Sequence, residues 1–494
     1  IKPDLGHAHS NLSIILKELG KLEEAEKSIR KALYLNPNCA EIYSILGSVL
    51  QELGKLKEAE NFTRRAIELK PDLADAHSNL GTILKDLDKL EEAEKCARRA
   101  IELKPDLAEA YSNLGIILHG LCKSLEAQSF VIKAIKLKPD LANAHLNLGI
   151  ILQDLGKTED AELSTHKAIQ LKPDFPDAYF NLSCLELLKG DYESGLQKFE
   201  FRFKRKQPPF MHGNPVIKKF DKINLTKGGQ LLVVSEQGLG DTLQYMRYIP
   251  YIKSQGIHVS FCAQTKLHSL IKASGIDQNP LTPEQGNTIL TGQWIPLLSI
   301  PKYLKINPKN PIITKPYIKS TDELSMKWKN ILAKEKRPIV GINWQGSPNL
   351  EKTYQGRSIP LETFSLLLDQ NEITLLSLQK GFGSEQLETC SFKNRFIASQ
   401  TQINSTWDFL ENAAIIENCD LIITNDTSIA HLAGGMGKKV WLMLKDIPFW
   451  TWGLNKNTTF WYPSMKLFRQ KERDNWQEVM TRISNAINIE FRSV

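Results

Sequence analysis

A 34-residue period in the first 205 residues is the feature that most limits how this chain can fold. Prolines recur at this spacing, and leucines recur at the same spacing. The prolines are Pro3, Pro37, Pro71, Pro105, Pro139 and Pro173, and the leucines are Leu12, Leu46, Leu80, Leu114, Leu148 and Leu182. Units this short bury their apolar faces only by stacking on neighbours. The sequence therefore predicts an array of similar units.

A period of 34 residues resembles the tetratricopeptide repeat, in which each unit is a pair of helices. Glycines in the first helix recur with alanines in the second, which predicts close approach of the two helices. These residues are Gly47, Gly81, Gly115 and Gly149, with Ala59, Ala93, Ala127 and Ala161. The Asp or Asn after each proline is predicted to cap the following helix. We predict an α-solenoid of six repeats over residues 1–205, and we expect further chain before Ile1 because the sequence begins inside a repeat.

An asparagine precedes most of the repeated leucines, and these asparagines are predicted to line the groove of the stack. They are Asn11, Asn79, Asn113, Asn147 and Asn181, and Ile45 interrupts the row. An amide both donates and accepts hydrogen bonds, so such a row can hold an extended peptide. The row resembles the asparagine ladder of the eukaryotic O-GlcNAc transferase. The alternative is that these asparagines belong only to the repeat consensus.

The sixth repeat ends in an aromatic strip, Phe199-Glu200-Phe201-Arg202-Phe203. We predict that it covers the last apolar face of the array, against the next domain. Residues 206–227, with the proline-containing stretch from Gln207 to Pro215, are predicted to be a linker.

From Gly228 the pattern becomes that of a parallel α/β domain. An apolar strand at Leu231–Val234 precedes the glycine turn Gly238–Asp241, a helix and a second strand at Val259–Ala263. A dinucleotide site is excluded by two features: Leu243 replaces the third glycine, and no acid ends the second strand. A phosphate-binding Walker loop is excluded because Lys439, not Ser or Thr, follows Gly437-Lys438.

Three further strands each end in polar residues and glycines, which is typical of ligand loops. The strands are Pro338–Asn343, Ile373–Leu378 and Leu421–Thr424. After the third, Asp426-Thr427-Ser428 opens a helix of small residues that continues to Gly435. Free N–H groups and the positive end of this helix are predicted to hold a diphosphate without a metal ion.

Four motifs together resemble the heptosyltransferase-like glycosyltransferases, and in particular bacterial tetratricopeptide proteins that carry such a domain. The motifs are Gly238–Gln244, Trp344–Pro348, Arg357–Pro360 and Asp426–Gly434. The resemblance covers about residues 228–490. It implies a GT-B fold, with an acceptor-side Rossmann-like domain at 228–330 and a nucleotide-sugar-binding domain with a closing helix at 331–494. It also implies an inverting transfer from a nucleotide-sugar, used as co-substrate, with no metal or other cofactor.

The resemblance assigns roles that also make chemical sense. An inverting transfer needs one carboxylate to take the acceptor proton and positive groups to stabilise the departing diphosphate. Asp241 is the predicted catalytic base; a helix-capping role is the alternative. The predicted acceptor loop contains Gly238, Gly240, Thr242 and Gln244. The predicted donor-binding residues are Trp344, Gln345, Arg357, Gln379, Lys380, Asp426, Thr427, Ser428 and His431. For Asp426, we favour capping of the phosphate-binding helix.

One departure from the family pattern concerns Phe449-Trp450-Thr451-Trp452. Related sequences carry Asp and Arg at the positions of Phe449 and Thr451, so the change predicts altered specificity or weak activity. Trp461–Met465 follows the family pattern and is expected to position the closing helix, at about Asp474–Ile487.

Composition limits the remaining possibilities. No stretch is apolar enough for a transmembrane segment, and the seven cysteines are scattered without a CxxC pair, which suits a reducing cytoplasm. The net charge of +7 comes with no basic, aromatic-lined stripe, so we predict no nucleic-acid partner. The expected partners are a nucleotide-sugar donor and a protein or peptide in the repeat groove. Two alternatives are a catalytically weak or inactive, transferase-like scaffold that binds proteins through its repeats and a true protein O-glycosyltransferase.

Overall fold

The computed structural model describes residues 4–220, 227–348, 356–369 and 371–491. The chain divides into two compact units. The first comprises Ile1–Leu185 with Lys204–Lys206, and the second comprises Glu186–Phe203 with Gln207–Val494.

The first unit is a stack of antiparallel helix pairs, and the last pair continues into the second unit. Its helices are α1 (Asp4–Glu18), α2 (Leu22–Leu35), α3 (Ala40–Glu52), α4 (Leu56–Leu69), α5 (Ala74–Asp86), α6 (Leu90–Leu103), α7 (Ala108–Gly120), α8 (Ser124–Leu137), α9 (Ala142–Asp154), α10 (Thr158–Leu171) and α11 (Pro176–Lys189), followed by α12 (Tyr192–Phe199). The predicted helical solenoid is confirmed.

Close packing within a repeat depends on the small residues that the sequence repeats. A Cβ placed on Gly81 would lie 3.3 Å from the carbonyl oxygen of Ala93, and one on Gly115 would lie 3.2 Å from that of Ala127. These distances are too short for a larger side chain without movement of the helices. The glycine–alanine pairing therefore sets the spacing of the two helices.

The predicted helix caps are wrong. Helices α3 and α5 begin two residues after Asn38 and Asp72, and their N-cap residues are Cys39 and Leu73. Within the described chain, neither of these side chains makes a capping hydrogen bond. The Pro-Asp pair forms the turn between repeats, and packing of small and apolar side chains fixes where each helix starts.

The second unit contains two parallel sheets surrounded by short helices. The first sheet has the order β1-β4-β2-β3, and the second has the order β6-β5-β7-β8-β9. The strands are β1 (Lys218–Lys219), β2 (Gln230–Val234), β3 (His258–Cys262), β4 (Gln293–Pro296), β5 (Ile339–Asn343), β6 (Thr374–Ser377), β7 (Leu421–Asn425), β8 (Val440–Leu444) and β9 (Met465–Arg469). Parallel sheets with helices agree with the expected α/β class, and the GT-B arrangement stays a prediction.

The helices of this unit are mostly shorter than those of the repeats. They are α13 (Leu239–Tyr245), α14 (Tyr248–Ser254), α15 (His268–Ala273), α16 (Pro283–Asn287), α17 (Ile300–Tyr303), α18 (Asp322–Leu332), α19 (Gln386–Thr389), α20 (Gln400–Asn404), α21 (Phe409–Glu417), α22 (Ser428–Gly435) and α23 (Trp476–Phe491). The predicted closing helix corresponds to α23. Across the described residues, no helix is both long enough and apolar enough to cross a membrane.

The aromatic strip belongs to the α/β unit, so the compact units divide near Leu185 rather than at residue 205. Tyr192 packs edge-on against Phe460, with ring centroids 5.4 Å apart, and Phe199 packs edge-on against Trp450 at 5.9 Å. Part of the predicted linker is also structured, because β1 pairs with β4. Linker residues 221–226 lie outside the described residues.

Candidate functional site

Asp241 lies in the first turn of α13, just beyond the carboxyl end of β2. Its Oδ2 accepts a hydrogen bond from the Gly238 N–H at 3.0 Å, so the side chain does cap this helix. Burial raises the pKa of Asp241 to about 7, and the carboxylates of Glu236 and Asp426 add to the rise, while the Gly238 hydrogen bond opposes it. A carboxyl group that titrates near neutral pH can accept a proton from a substrate hydroxyl.

The N-terminus of α22 follows β7 at the same end of the second sheet. The helix begins at Ser428, and Thr427 is its N-cap. The Thr427 hydroxyl does not cap the helix; it donates to Asn343 Oδ1 at 2.8 Å. Because Asn343 ends the neighbouring strand β5, this bond ties the helix start to the centre of the sheet. Asp426 lies before the N-cap and does not take the capping role expected for it.

Arg357 and Asp426 form the charged part of the site. Arg357 Nη1 lies 3.8 Å from Asp426 Oδ2, and both side chains are about 85% buried. Burial raises the pKa of Asp426, and the Arg357 charge opposes this rise. A Cβ on Gly346 would lie 3.4 Å from the Arg357 guanidinium and 3.3 Å from Thr427. Gly346 therefore allows the cation to lie beside the start of α22.

His431 is held as a neutral imidazole in the first turns of α22. Burial and the charges of Arg247 and Arg357 lower its pKa to about 3. A 2.8 Å hydrogen bond joins its Nδ1 to the Tyr462 hydroxyl, and Trp452 stacks on the ring with a centroid distance of 5.4 Å. The ring is therefore fixed in place, and its low pKa keeps it uncharged at neutral pH.

Gly240 brings the two loops together. A Cβ on this glycine would lie 3.0 Å from His431 Cδ2 and 3.6 Å from Ser428 Cα. The glycine turn after β2 thus packs directly on the first turn of α22. Because of this contact, the turn that contains Asp241 lies next to the N-terminus of α22.

Two predicted donor-binding residues are buried in the domain. Trp344 is completely buried, packs edge-on against Phe364, and donates from Nε1 to the Gly383 carbonyl at 3.2 Å. Gln379 is 3% exposed, and its Oε1 accepts from Asn343 Nδ2 and from the Gln345 N–H. Both side chains make contacts within the domain, and their contacts with a donor stay predictions.

Gln345 and Lys380 are better placed, though each is partly used by the protein. The Gln345 backbone bonds to Gln379, and its side-chain oxygen is buried without a partner among the described residues. The Lys380 ammonium donates to the Ile403 carbonyl, and burial lowers its pKa to about 8. Their donor contacts stay predictions.

The predicted acceptor-loop side chains face inward. Thr242 is fully buried and donates to Gln264 Oε1 at 2.9 Å; the Gln264 amide in turn bonds to His212. Gln244 is 2% exposed, and among the described residues its side-chain Nε2 is buried without a hydrogen-bond partner. Gly238 is exposed and Gly240 is half-buried, and the contact of this loop with an acceptor stays a prediction.

The asparagine row of the repeats has a structural use. Asn79, Asn113 and Asn147 each donate from Nδ2, at 3.0 Å, to the serine hydroxyl one repeat earlier. These serines are Ser44, Ser78 and Ser112, and all three are buried. Asn181 has Leu146 at the preceding position and bonds to Gln153 instead. Asn11 is exposed in the first repeat. The amides thus join successive repeats, and peptide binding by the row stays a prediction.

Sequence reasoning missed several residues that shape the site. Asn425 ends β7 and donates to the carbonyls of Trp344 and Arg357. Arg247 is buried, stacks on Tyr462, and donates to the Trp461 carbonyl at 2.5 Å. The signal available in the sequence was an Asn at the end of two apolar strands; the partners of Arg247 are too distant along the chain to be recognised.

Comparison with known families confirms the prediction of tetratricopeptide repeats. Models of the tetratricopeptide repeat match residues 6–39, 40–73 and 74–107. No curated protein matches the chain.

Several solved structures are similar to part of the chain. PilF of Pseudomonas aeruginosa is 20% identical over 41% of this chain and 91% of its own, with a TM-score of 0.33. A tetratricopeptide-repeat protein of Thermus thermophilus is 19% identical over 37% of this chain and 99% of its own, with a TM-score of 0.35. YrrB, described as a tetratricopeptide-repeat protein with an unusual peptide-binding site, is 21% identical over 36% of this chain and 91% of its own, with a TM-score of 0.27.

Proposed function

We propose that residues 228–494 form an inverting, nucleotide-sugar-dependent glycosyltransferase of the GT-B type, and that the repeats recruit a protein partner or the acceptor. The observation that carries this proposal is the meeting of two loops: the Asp241 turn after β2 packs through Gly240 on the start of α22. The site thus combines a carboxylate of raised pKa with a helix N-terminus and a cation.

In the proposed reaction, the acceptor oxygen attacks the anomeric carbon and its proton passes to the Asp241 carboxylate. The bond between the anomeric carbon and the diphosphate oxygen breaks, and the nucleoside diphosphate leaves with the electron pair. A single displacement of this kind inverts the anomeric centre. A base whose pKa is about 7 is partly deprotonated at neutral pH and still accepts the proton readily.

The departing diphosphate is proposed to lie at the start of α22. The positive end of this helix and the Arg357 guanidinium stabilise the negative charge as it develops. Asp426, 3.8 Å from Arg357, holds the guanidinium in position. The neutral His431 adds no charge here, which leaves the helix end and Arg357 as the electropositive side of the site.

The repeats suggest a protein-interaction scaffold, because stacked repeats present an extended binding surface. A scaffold without catalysis is the second candidate function. The observation that favours it is Thr451, which stands where related domains carry Arg and is 5% exposed, between the buried Trp450 and Trp452. A protein O-glycosyltransferase is a third candidate, favoured only by the asparagine row.

A screen of nucleotide-sugar donors tests the proposal. Micromolar protein is incubated with UDP-, ADP- and GDP-sugars, with and without a protein extract as acceptor, and nucleotide release is measured. The proposal predicts release from one donor class, and its loss in Asp241→Asn. Binding of a donor without release supports the scaffold. If no donor is bound and no nucleotide is released, the transferase proposal is contradicted.

Two variants separate the residue roles. Arg357→Ala is expected to weaken donor binding, whereas Asp241→Asn leaves donor binding intact because the carboxylate acts on the acceptor.

Replacing Asn79, Asn113 and Asn147 with Ala tests the peptide groove. Unchanged peptide binding in that triple variant contradicts the proposed groove, with far-ultraviolet circular dichroism as the control for folding.

A further inference from the structure

Glu236 is a buried carboxylate that the proposed reaction does not use. It follows β2 by two residues, comes five residues before Asp241, and has no solvent exposure. Its Oε1 accepts from the Leu298 N–H at 3.1 Å, so one bond ties it to the loop after β4. A charged group in such a place is costly unless it is paired.

The partner of Glu236 is Arg202, from the aromatic strip at the end of the repeats. Arg202 is 1% exposed, and its guanidinium makes a two-bond pair with Glu236: Nε donates to Oε2 at 3.0 Å and Nη2 donates to Oε1 at 2.8 Å. Nη2 also donates to Ser299 Oγ at 2.8 Å. The side chain therefore joins the loops after β2 and β4.

Arg202 is itself held rigidly from the other side. Its Nη1 donates to the Phe199 carbonyl and to Glu200 Oε1, and the guanidinium lies over the rings of Phe199 and Phe203, at 4.6 and 4.1 Å from their centroids. All five N–H donors of the guanidinium thus have a partner. A lysine, which presents a single ammonium, cannot reproduce this set of bonds.

The connecting segment after Arg202 holds the same loop by a second, independent route. The Gln237 N–H donates to the Phe210 carbonyl at 2.9 Å, and the His212 N–H donates to the Ser235 carbonyl at 3.0 Å. Gln237 has a φ of +60°, a strained value for a residue with a side chain. Fixed partners on both sides of Gln237 explain how the turn keeps this conformation.

We propose that Arg202 and Glu236 are positioning residues that hold the Asp241 turn in its reactive geometry. Arg202, Phe210 and His212 are then part of the construction of the acceptor side of the site. We call the Arg202–Glu236 pair the clamp. The proposed function enters only in that Asp241 is taken as the reacting group; the clamp's effect on the turn does not depend on it.

The main test is regional hydrogen exchange in the full chain, with Arg202→Lys as the variant. Losing the two-bond pair is expected to raise exchange of the amides from Gln237 to Asp241 by about 10-fold or more, and to leave the amides of β7 unchanged. The matched control is Arg205→Lys, because Arg205 is a half-exposed arginine of the same segment that pairs with Asp177. The control is expected to leave both regions unchanged.

A second variant covers the case in which Arg202→Lys does not fold. Arg202→Met combined with Glu236→Leu removes both charges at similar volume, a change that buried pairs often tolerate, and it is expected to loosen the same amides. Unchanged exchange in the turn, or a uniform rise through both sheets, would overturn the proposal. Neither result depends on a donor, so failure of the clamp and failure of the transferase proposal are distinguishable.

A kinetic readout applies once a donor gives turnover. Arg202→Lys is expected to lower kcat by about 10-fold or more while the KM for the donor stays within about 2-fold, because the clamp acts on the Asp241 turn and not on α22. A merely structural role would instead lower the amount of active protein and leave the kcat of the folded fraction unchanged. That outcome, or a rise in donor KM alone, contradicts the positioning role.

Discussion

Replacing Asp241 with Asn is expected to stabilise the protein at alkaline pH while abolishing transfer. The carboxyl group titrates at about 7 in the folded chain, against an ordinary value of 3.8. Between these two values the unfolded chain has lost the proton and the folded chain keeps it. Folding stability from this group is therefore complete below pH 4 and is lost as the pH rises to about 7. An Asn does not titrate, so the variant escapes this loss.

The size of the effect follows from the two pKa values. A difference of about 3 pKa units, at roughly 1.36 kcal/mol each, amounts to about 4 kcal/mol. The Asp241 side chain is partly exposed, and solvent screening lowers this figure. The Asn oxygen still accepts from the Gly238 N–H, so the cap is retained. We expect the variant to gain about 2 kcal/mol at pH 8 and almost nothing at pH 4.

Urea unfolding of both proteins at pH 4, 6 and 8, followed by tryptophan fluorescence, measures this difference. The α/β unit contains all nine tryptophans of the chain, so the signal reports the relevant unit. A gain that is independent of pH, or a variant less stable than the natural chain at pH 8, refutes the reasoning. Nucleotide release by the variant at the natural rate refutes the base assignment separately.

Three further substitutions test the packing argument. Asp88 has a φ of +63° at a turn where the first two repeats carry Gly, so Asp88→Gly should raise the unfolding free energy by about 0.5–1 kcal/mol in urea titration. Ser78→Ala removes the acceptor of the Asn113 amide and should lower it by about 1 kcal/mol, with no loss of helicity by circular dichroism. Gly240→Ala places a methyl group against the buried His431 and should lower the melting temperature, at a cost of about 1–3 kcal/mol, and reduce transfer. For each substitution, the packing argument is contradicted if the unfolding free energy or the melting temperature stays the same as in the natural chain.

The repeats could be predicted because their information is local and periodic. The spacing of Leu, Gly and Ala is enough to place each helix pair, and the matched models cover residues 6–107. What the period does not give is the helix start. Asn38 and Asp72 have suitable side chains for capping, yet the helices begin at Ala40 and Ala74, where stacking with neighbouring repeats begins.

The strands with ligand loops were also predictable, since an apolar run followed by glycine is a local signal. The direction of each loop side chain was not. Trp344 and Gln379 follow strand ends as ligand residues do, but long-range contacts to Phe364 and to the β5 loop draw both inward. The short strands β1 and β4 escaped notice because they lack a long apolar run.

Pairings between distant residues account for most of what sequence reasoning missed. Arg202 and Glu236 are 34 residues apart, and Arg247 and Trp461 are 214 residues apart. A single sequence contains no signal for such pairs. The aromatic strip gave a partial signal, because its residues were expected to contact the next domain. Phe199 does pack on Trp450.

The most direct test of the central claim is isothermal titration of the Asp241→Asn chain with UDP-, ADP- and GDP-sugars, together with nucleotide release by the natural chain. We predict that one donor class binds the variant, that Arg357→Ala weakens this binding at least 10-fold, and that only the natural chain releases the nucleotide. If none of these donors binds at micromolar protein and none is consumed, the proposal of a nucleotide-sugar transferase is contradicted.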